Sequence, residues 1–193
     1  MINSLVKPEE SEFHMKRFWE HSVGTAIIAD KLVTDRLVRL GKPLEFNDYW
    51  IGALLHDVGK LVLGFFFWDW MLRILTHRAE KNCSFRQAEV DLIASHQRVG
   101  QLMLLNSDMG ENAVNAVGNH HELSDPDDLL RLLHVADNLA KSVGLGTLPG
   151  EEAEFDADVL KQMGLSSDRV VRLSADLQKE MVQEIRSVVA SCL

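Results

Sequence analysis

Apolar residues recur through most of this chain at the spacing of an α-helix, and the alternation typical of a half-buried β-strand is almost absent. This periodicity predicts an all-α fold, a single helical bundle. Capping residues, glycines and prolines divide the pattern into helices over about 12–40, 47–63, 65–81, 84–106, 111–121, 126–143, 151–163 and 167–190. Ser84 and Gln87 have the spacing of a capping box. Asp125 before Pro126 predicts a helix start, and VGLGTLPG over 143–150 predicts a loop.

The length and composition are those of one globular domain with a single core. The chain has 193 residues, of which 46% are hydrophobic and 25% charged. No apolar run reaches the roughly 18–20 residues that cross a bilayer, and the N-terminus has no signal-peptide core. Cys83 and Cys192 form no metal-binding or disulfide pattern, which favours a reducing compartment. We therefore expect a cytoplasmic protein without a membrane partner.

The charge of the chain narrows its partners. The formal net charge is −9, and no segment is dense in Lys or Arg. Duplex nucleic acid needs a basic surface, so it is not expected as a partner. A small phosphorylated ligand is compatible with this charge, because a bound metal reverses the local potential.

Several predicted helices carry a histidine or an aspartate on or near the apolar face. The stretch ALLHDVGKLVL, for example, places His56, Asp57 and Lys60 among small and branched apolar side chains. A lone buried histidine is usually just a hydrogen-bonded core or capping residue. A set from different helices is how helical bundles build metal sites. The candidate ligands are His21, His56, Asp57, His96, His120, His121 and Asp137.

The spacing around Asp57 indicates a shared site. His56 and Asp57 lie about 100° apart on a helix, so both can reach a metal between their two directions. Lys60 follows them by four and three residues and overhangs the same position, where its ammonium would lie near a bound phosphate. Three other histidines have no such neighbours in the sequence, and we expect them to be structural or surface residues: His14, His77 and His134. His134 could also support the side chain of Asp137 without binding the metal.

The ligand chemistry points to divalent transition metals. Mixed imidazole and carboxylate donors suit Fe or Mn best, with Ni, Co, Zn or Mg as alternatives, and exclude a calcium-type all-oxygen shell. Seven donors exceed what one ion draws from protein. Two ions that share Asp57 are the economical arrangement.

The ordered set His21, His56-Asp57 and Asp137 resembles the signature of the HD superfamily of metal-dependent phosphohydrolases. His96 and His120-His121 resemble the additional ligands of its two-metal members. The segments FWEHS, LLHDVGKLVL, VGQLML, NHHE and HVADNLA, with Glu89 ahead of His96, are similar to the HDOD subgroup. The resemblance covers about 18–146. It implies a lead-in over 1–17, a metal-binding core over 18–146 and a C-terminal helical hairpin over 147–193.

The sequence also departs from related patterns. HDOD proteins usually carry a further helical half ahead of FWxHS, so we expect a stand-alone or truncated form, or a partner that supplies this half. The cyclic-dinucleotide phosphodiesterases of the HD-GYP group continue HHE into DGxGYP, whereas this chain continues into ELSDPDDLL. Some of them also place a Glu where this chain has Arg17. Neither a third metal nor that substrate is expected.

Three functions stay open from the sequence. The first is a phosphohydrolase that acts on a nucleotide or another phosphoester, with Asp57 and Lys60 in catalytic roles. The second is a non-catalytic signalling module that binds metal, nucleotide or a protein. The aromatic patch, FFFWDW over Phe65–Trp70, would then dock a partner or a second copy, unless it only starts a core helix. The third is a purely structural bundle.

Overall fold

The computed structural model describes residues 13–105 and 107–192. Within these residues the chain is all-α, as predicted, and contains no strand. The helices are α1 (Met15–Thr34), α2 (Phe46–Leu55), α3 (Val58–Phe66), α4 (Trp68–Lys81), α5 (Phe85–Leu92), α6 (His96–Leu104), α7 (Glu111–Asn119), α8 (Asp128–Ser142), α9 (Ala157–Gln162), α10 (Ser167–Glu180) and α11 (Val182–Cys192).

Two helices form the centre of the bundle. α8 is buried over most of its surface, and α1 packs against α2, α8 and α11. Residues of α9, α10 and α11, among them Val159, Leu173 and Ile185, enter the same hydrophobic core as α1 and α8. A second core lies around α3, α4 and α5, where Phe13 and Phe18 pack with Met71. The division of the chain after residues 17 and 146 stays a prediction.

Two predicted helices were too long because each ends in a Schellman turn without glycine. The first helix ends at Thr34 rather than Leu40: Arg36 has φ 52°, and the Leu37 amide bonds to the Leu32 carbonyl at 3.0 Å. The predicted helix over 84–106 is interrupted in the same way at Ile93, which has φ 55°. A left-handed Arg or Ile gives no sequence signal of the kind that Gly gives.

The predicted helix over 47–63 is divided at His56 and Asp57. α2 ends at Leu55, α3 begins at Val58, and the Lys60 amide reaches back to the Asp57 carbonyl at 2.8 Å. His56 keeps helical backbone angles, and Asp57 departs from them with φ −96° and ψ 9°. Both side chains face the same point from this turn.

The predicted helix start at Ser84 is confirmed, whereas the start of α6 after Ser95 was not predicted. Ser84 Oγ accepts a hydrogen bond from the Gln87 amide at 3.2 Å. The predicted cap at Asp125 was wrong: Asp127 caps α8, accepting from the Leu130 amide at 2.9 Å. A run of acidic residues offers several possible caps, and spacing alone does not choose among them.

The C-terminal helices are shorter than predicted. The helix expected from Glu151 begins only at Ala157, where Asp156 caps it, so residues 151–156 are not helical. The last helix is interrupted at Met181. Two endpoints of predicted helices, Glu12 and Asn106, lie outside the described residues.

No single helix in the described part of the chain is both long and apolar enough to span a membrane. The helical segments Phe46–Phe66 and Trp68–Lys81 have the length and composition of a membrane span only when they are taken together, and the chain bends by 110° between them.

Candidate metal centre

The carboxylate of Asp57 lies between two groups of histidines. Its Oδ2 atom is 3.4 Å from His21 Nε2 and 3.6 Å from His56 Nε2. Its Oδ1 atom is 3.1 Å from His96 Nε2 and 3.7 Å from His120 Nε2. Each oxygen thus faces a different pair of imidazoles, which is the arrangement of a bridging ligand.

The first group joins α1, the α2–α3 turn and α8. The Nε2 atoms of His21 and His56 are 3.1 Å apart. Asp137 Oδ1 is 3.3 Å from His21 Nε2 and 3.9 Å from His56 Nε2. This oxygen is buried and has no hydrogen-bond donor among residues 13–105 and 107–192. A buried carboxylate oxygen without a donor is costly, and a cation between these atoms would satisfy it.

The second group joins α6 and the end of α7. The Nε2 atoms of His96 and His120 are 3.1 Å apart. The ring of His121 lies 4.2 Å from that of His120 and 5.2 Å from that of His96, measured between centroids. One donor atom from each of the three histidines lies within 4.8 Å of the others, as is also true of His21, His56 and Asp57.

The outward-facing nitrogens fix the tautomers of the buried histidines. Three Nδ1–H groups donate to backbone carbonyls: His21 to Leu145 (2.8 Å), His56 to Ala53 (2.7 Å) and His120 to Val117 (2.9 Å). A carbonyl only accepts, so Nδ1 carries the proton in each neutral ring. The Nε2 lone pairs therefore point inward. Inward lone pairs beside ionised carboxylates form a donor set that fits a metal cation.

Glu89 orients the remaining inner histidine. Its Oε2 atom is 2.6 Å from His96 Nδ1, and its Oε1 atom accepts from the His96 backbone amide at 2.6 Å. Glu89 itself is fully buried in α5. This carboxylate–histidine pair behind a candidate ligand is the usual support of a metal-bound imidazole.

Two lysines, Lys60 buried and Lys141 partly buried, neutralise the carboxylates of the centre. Lys60 Nζ donates to Asp57 Oδ2 at 2.7 Å, and Lys141 Nζ donates to Asp137 Oδ2 at 2.7 Å. Thr147 Oγ1 also donates to Asp57 Oδ2, at 3.2 Å. Lys60 thus lies at the predicted place, with its ammonium bound to the bridging carboxylate. Its contact with a phosphate stays a prediction.

The electrostatics favour positive charge between the two aspartates. Burial would raise the pKa of Asp57, but Lys60 and His56 hold it well below its usual range. Burial would also raise the pKa of Asp137, and Lys141 and His21 hold it well below that range. Burial lowers the pKa of His21, yet Asp137 and Asp57 outweigh burial and raise it to about 9. The carboxylates are ionised at neutral pH and draw a proton or a metal to His21 Nε2.

Three of the other inner histidines, His56, His120 and His121, remain neutral. Burial lowers the pKa of His56 to about 3, and it lowers that of His120 and, strongly, that of His121. In His96 burial has the same direction, but Glu89 outweighs it and raises the pKa. Metal binding needs the deprotonated ring nitrogen, so the second group is largely prepared for a cation.

All seven predicted ligands meet at this centre, and the predicted structural histidines do not. His14 is exposed, His77 pairs with Asp91 at 2.8 Å, and His134 Nε2 accepts from the Asp156 amide at 2.9 Å. The assignment of the seven candidate residues as metal ligands stays a prediction. Mixed nitrogen and oxygen donors around a shared carboxylate fit divalent transition metals, and the structure specifies neither the element nor the number of ions.

Three further residues at the centre were not found from the sequence. Lys141 lies four residues after Asp137, which is helix-pair spacing that could have indicated it. Thr147 lies in the predicted loop, and Glu151 stands in a stretch predicted as a helix. No spacing rule connects a loop residue to a distant helix, so these two carried no signal.

A cleft of about 200 Å³ leads to the centre. Its walls include His96, His121 and Asp137 from the donor set, and Lys60, Arg86, Lys141 and Glu151 around them. His21, His56 and Asp57 are at most 1% exposed. The cleft therefore reaches the centre at His96, His121 and Asp137.

Comparison with known families identifies the fold. A sequence model of the HDOD domain family matches residues 1–123. Because this match covers more than half of the chain, the chain belongs to the HDOD domain family. No curated protein shows a significant match.

Two solved structures share the fold. One is an HDOD domain protein of unknown function from Geobacter sulfurreducens, with TM-score 0.67 and 25% identity over 92% of this chain and 63% of that one. The other, from Marinobacter aquaeolei VT8, is assigned provisionally to signal transduction, with TM-score 0.69 and 16% identity over 97% and 42%. This chain thus spans less than two thirds of either protein.

Proposed function

We propose that this chain is a metal-dependent phosphohydrolase that acts on a nucleotide or another small phosphoester, in a signalling context. The observation that carries the proposal is the position of Asp57. Its two oxygens face two separate histidine groups at 3.1–3.7 Å, which suits a pair of divalent ions. A shared carboxylate between two ions is typical of phosphoester-cleaving sites.

The residues of the chain divide into two ligand sets. His21, His56, Asp57 and Asp137 would hold one ion, and Asp57 with His96, His120 and His121 would hold the other. Divalent ions so placed lower the pKa of a water and neutralise charge on phosphate oxygens. The protein keeps Asp57 and Asp137 ionised through Lys60 and Lys141.

The cleft determines how a substrate reaches the centre. His121 and His96 stand at its inner end, while Lys60, Lys141 and Arg86 supply positive charge along its walls. A phosphoryl group is the part of a ligand that this charge favours. His21, His56 and Asp57 are buried, so water is excluded from the side of the centre opposite the cleft. Electrostatic interactions are strongest where water is excluded.

Metal analysis followed by a phosphoester screen tests the proposal. The purified protein is expected to contain a divalent transition metal and to hydrolyse at least one nucleotide or phosphoester. Asp57→Ala should abolish that turnover, and His77→Ala should retain it, because His77 pairs with Asp91 away from the centre. A metal-loaded protein with no turnover above the Asp57→Ala background would reject hydrolysis.

A non-catalytic signalling module is the second candidate. Burial of His21, His56 and Asp57 favours it, because a fully enclosed ion can serve structure or regulation without meeting a substrate. The provisional signal-transduction assignment of the Marinobacter aquaeolei protein is compatible with it. Stoichiometric metal together with nucleotide binding but no turnover would support this candidate over the first.

The aromatic patch has the exposure that docking requires. Phe65, Phe66, Phe67 and Trp70 are 42%, 68%, 52% and 44% exposed, whereas Trp68 is buried in the second core at 7%. The helix predicted to begin in the patch begins at Trp68, because Phe65 and Phe66 still belong to α3. The patch thus spans the junction of two helices and leaves apolar surface outside. Binding of a protein partner or a second copy there stays a prediction.

A further inference from the structure

A segment without helix crosses the mouth of the cleft. Residues 147–156, called the strap below, lie between α8 and α9. Its hydrogen bonds to the helices around the cleft include Thr147 Oγ1 to Asp57 Oδ2 (3.2 Å), Arg78 Nη2 to the Pro149 carbonyl (3.1 Å), the Glu154 amide to Asn138 Oδ1 (2.7 Å) and the Asp156 amide to His134 Nε2 (2.9 Å). The strap lies beyond residues 1–123, which match the HDOD family.

The strap places one carboxylate beside the lysines of the centre. Glu151 Oε1 is 3.6 Å from Lys60 Nζ, and its Oε2 atom accepts from the Leu148 amide at 3.2 Å. The Glu151 side chain is only 13% exposed. Lys141 lines the same cleft as Lys60 and Glu151. Glu151 is thus the anion paired with Lys60, and Lys141 stands in the wall of the same cleft.

The neighbours of Glu151 show that its position is specific. Glu152 and Glu154 also line the cleft, and both residues are exposed. Among the three glutamates, the structure describes an ion pair to Lys60 for Glu151 alone. Glu151 is consequently the strap residue whose charge meets the buried Lys60 ammonium group.

We propose that Lys60 and Lys141 form a subsite for the phosphate group of a ligand, and that Glu151 is a built-in competitor which occupies this subsite when the strap is closed. A carboxylate and a phosphate both accept hydrogen bonds from an ammonium group, and a phosphate carries more charge. Binding of phosphate requires Glu151 to leave. The inference deepens the proposed function by giving that centre a phosphate subsite and a gate.

The competition has a measurable cost. A ligand that binds only the open form has its apparent affinity reduced by the fraction of molecules that are open. Neutralising Glu151 removes its attraction to Lys60 and its repulsion of the incoming anion. Both changes increase phosphate affinity.

Isothermal titration of the metal-loaded full chain with inorganic phosphate tests the gate. Glu151→Gln should bind phosphate at least about tenfold more tightly than the wild type. Glu152→Gln, the matched control on the same strap, should change the affinity less than about twofold. Glu151→Asp keeps the charge and should stay near the wild type. Equal affinities of Glu151→Gln, Glu152→Gln and the wild type would overturn the proposal.

Hydrogen exchange provides a readout independent of affinity. The Leu148 amide donates to Glu151 Oε2, so its exchange should accelerate when phosphate displaces Glu151. Unchanged or slower exchange at Leu148 in the phosphate complex would contradict displacement. Neither measurement uses turnover. Tighter phosphate binding by Glu151→Gln in a protein that hydrolyses nothing would therefore reject the hydrolase and retain the gate.

Discussion

Gly59 in α3 lies directly against the backbone carbonyl of His96 in α6. A Cβ atom at Gly59 would overlap that carbonyl oxygen and would come within 2.9 Å of the Gly100 amide nitrogen. The two helices can approach so closely only because residue 59 has no side chain. This approach holds Asp57, two residues before Gly59, at 3.1 Å from His96. The glycine therefore sets the distance between the bridging carboxylate and the second histidine group.

Gly59→Ala should separate α3 from α6. Overpacking typically costs about 1–3 kcal/mol, and the obstacle here is backbone, so we expect a loss at the upper end of that range in urea unfolding. Metal affinity should fall as well, because Asp57 and His96 move apart. Gly52→Ala is the matched control: its Cβ would lie 3.4 Å from Ala116 Cβ, an ordinary contact. Equal stability of the two variants would refute the close-approach argument.

Because the two oxygens of Asp57 face different histidine groups, we expect different variants of the centre to lose different amounts of metal. Asp137→Asn affects only the first group and His121→Ala only the second, so each variant should retain part of the bound metal. Asp57→Asn should lose most of the metal from both. It should also be destabilised by about 3–5 kcal/mol, because Lys60 is left as a buried charge without its main partner. Elemental analysis at matched protein concentration checks this order, and equal metal content in all three variants would exclude a bridging role.

Glu89 should affect metal binding without touching the metal. Glu89→Gln keeps the shape of the side chain but removes the charge behind His96, and loss of such a support typically lowers metal affinity 10–100-fold. Competition with a coloured chelator measures this affinity. Asp91→Asn is the control on the same segment, since Asp91 bonds to His77 and Gln87 at the surface. An affinity of Glu89→Gln within twofold of the wild type would show that Glu89 only packs.

Metal removal should destabilise the whole fold. The candidate ligands come from α1, the α2–α3 turn, α6, α7 and α8, so their binding free energy contributes to folding. A chelator should lower the Tm of the wild type by several degrees and that of Asp57→Ala by almost nothing. The same shift in both proteins would mean that the chelator acts elsewhere.

The candidate site was easier to predict from the sequence than the helix ends. Polar side chains such as His21 and Asp137 stand out on apolar helix faces, because an unpaired polar group is disfavoured there. Arg36 and Ile93 did not stand out, because the turns they form usually contain glycine. Glu151 was missed for a different reason, because its distance to Lys60 depends on the path of the strap, which no periodicity describes.

Ile93 offers a test of the Schellman turn that divides α5 from α6. It is a β-branched residue at φ 55°, and its side chain is 95% exposed. A left-handed β-branched residue costs about 1–2 kcal/mol, and an exposed side chain returns little packing energy. Ile93→Gly should therefore stabilise the protein by about 1 kcal/mol in urea unfolding. Val171→Gly, also at an exposed position but inside α10, should destabilise it by a similar amount, since glycine is disfavoured in a helix interior. Destabilisation by both substitutions would show that Ile93 makes contacts that outweigh the strain of its backbone.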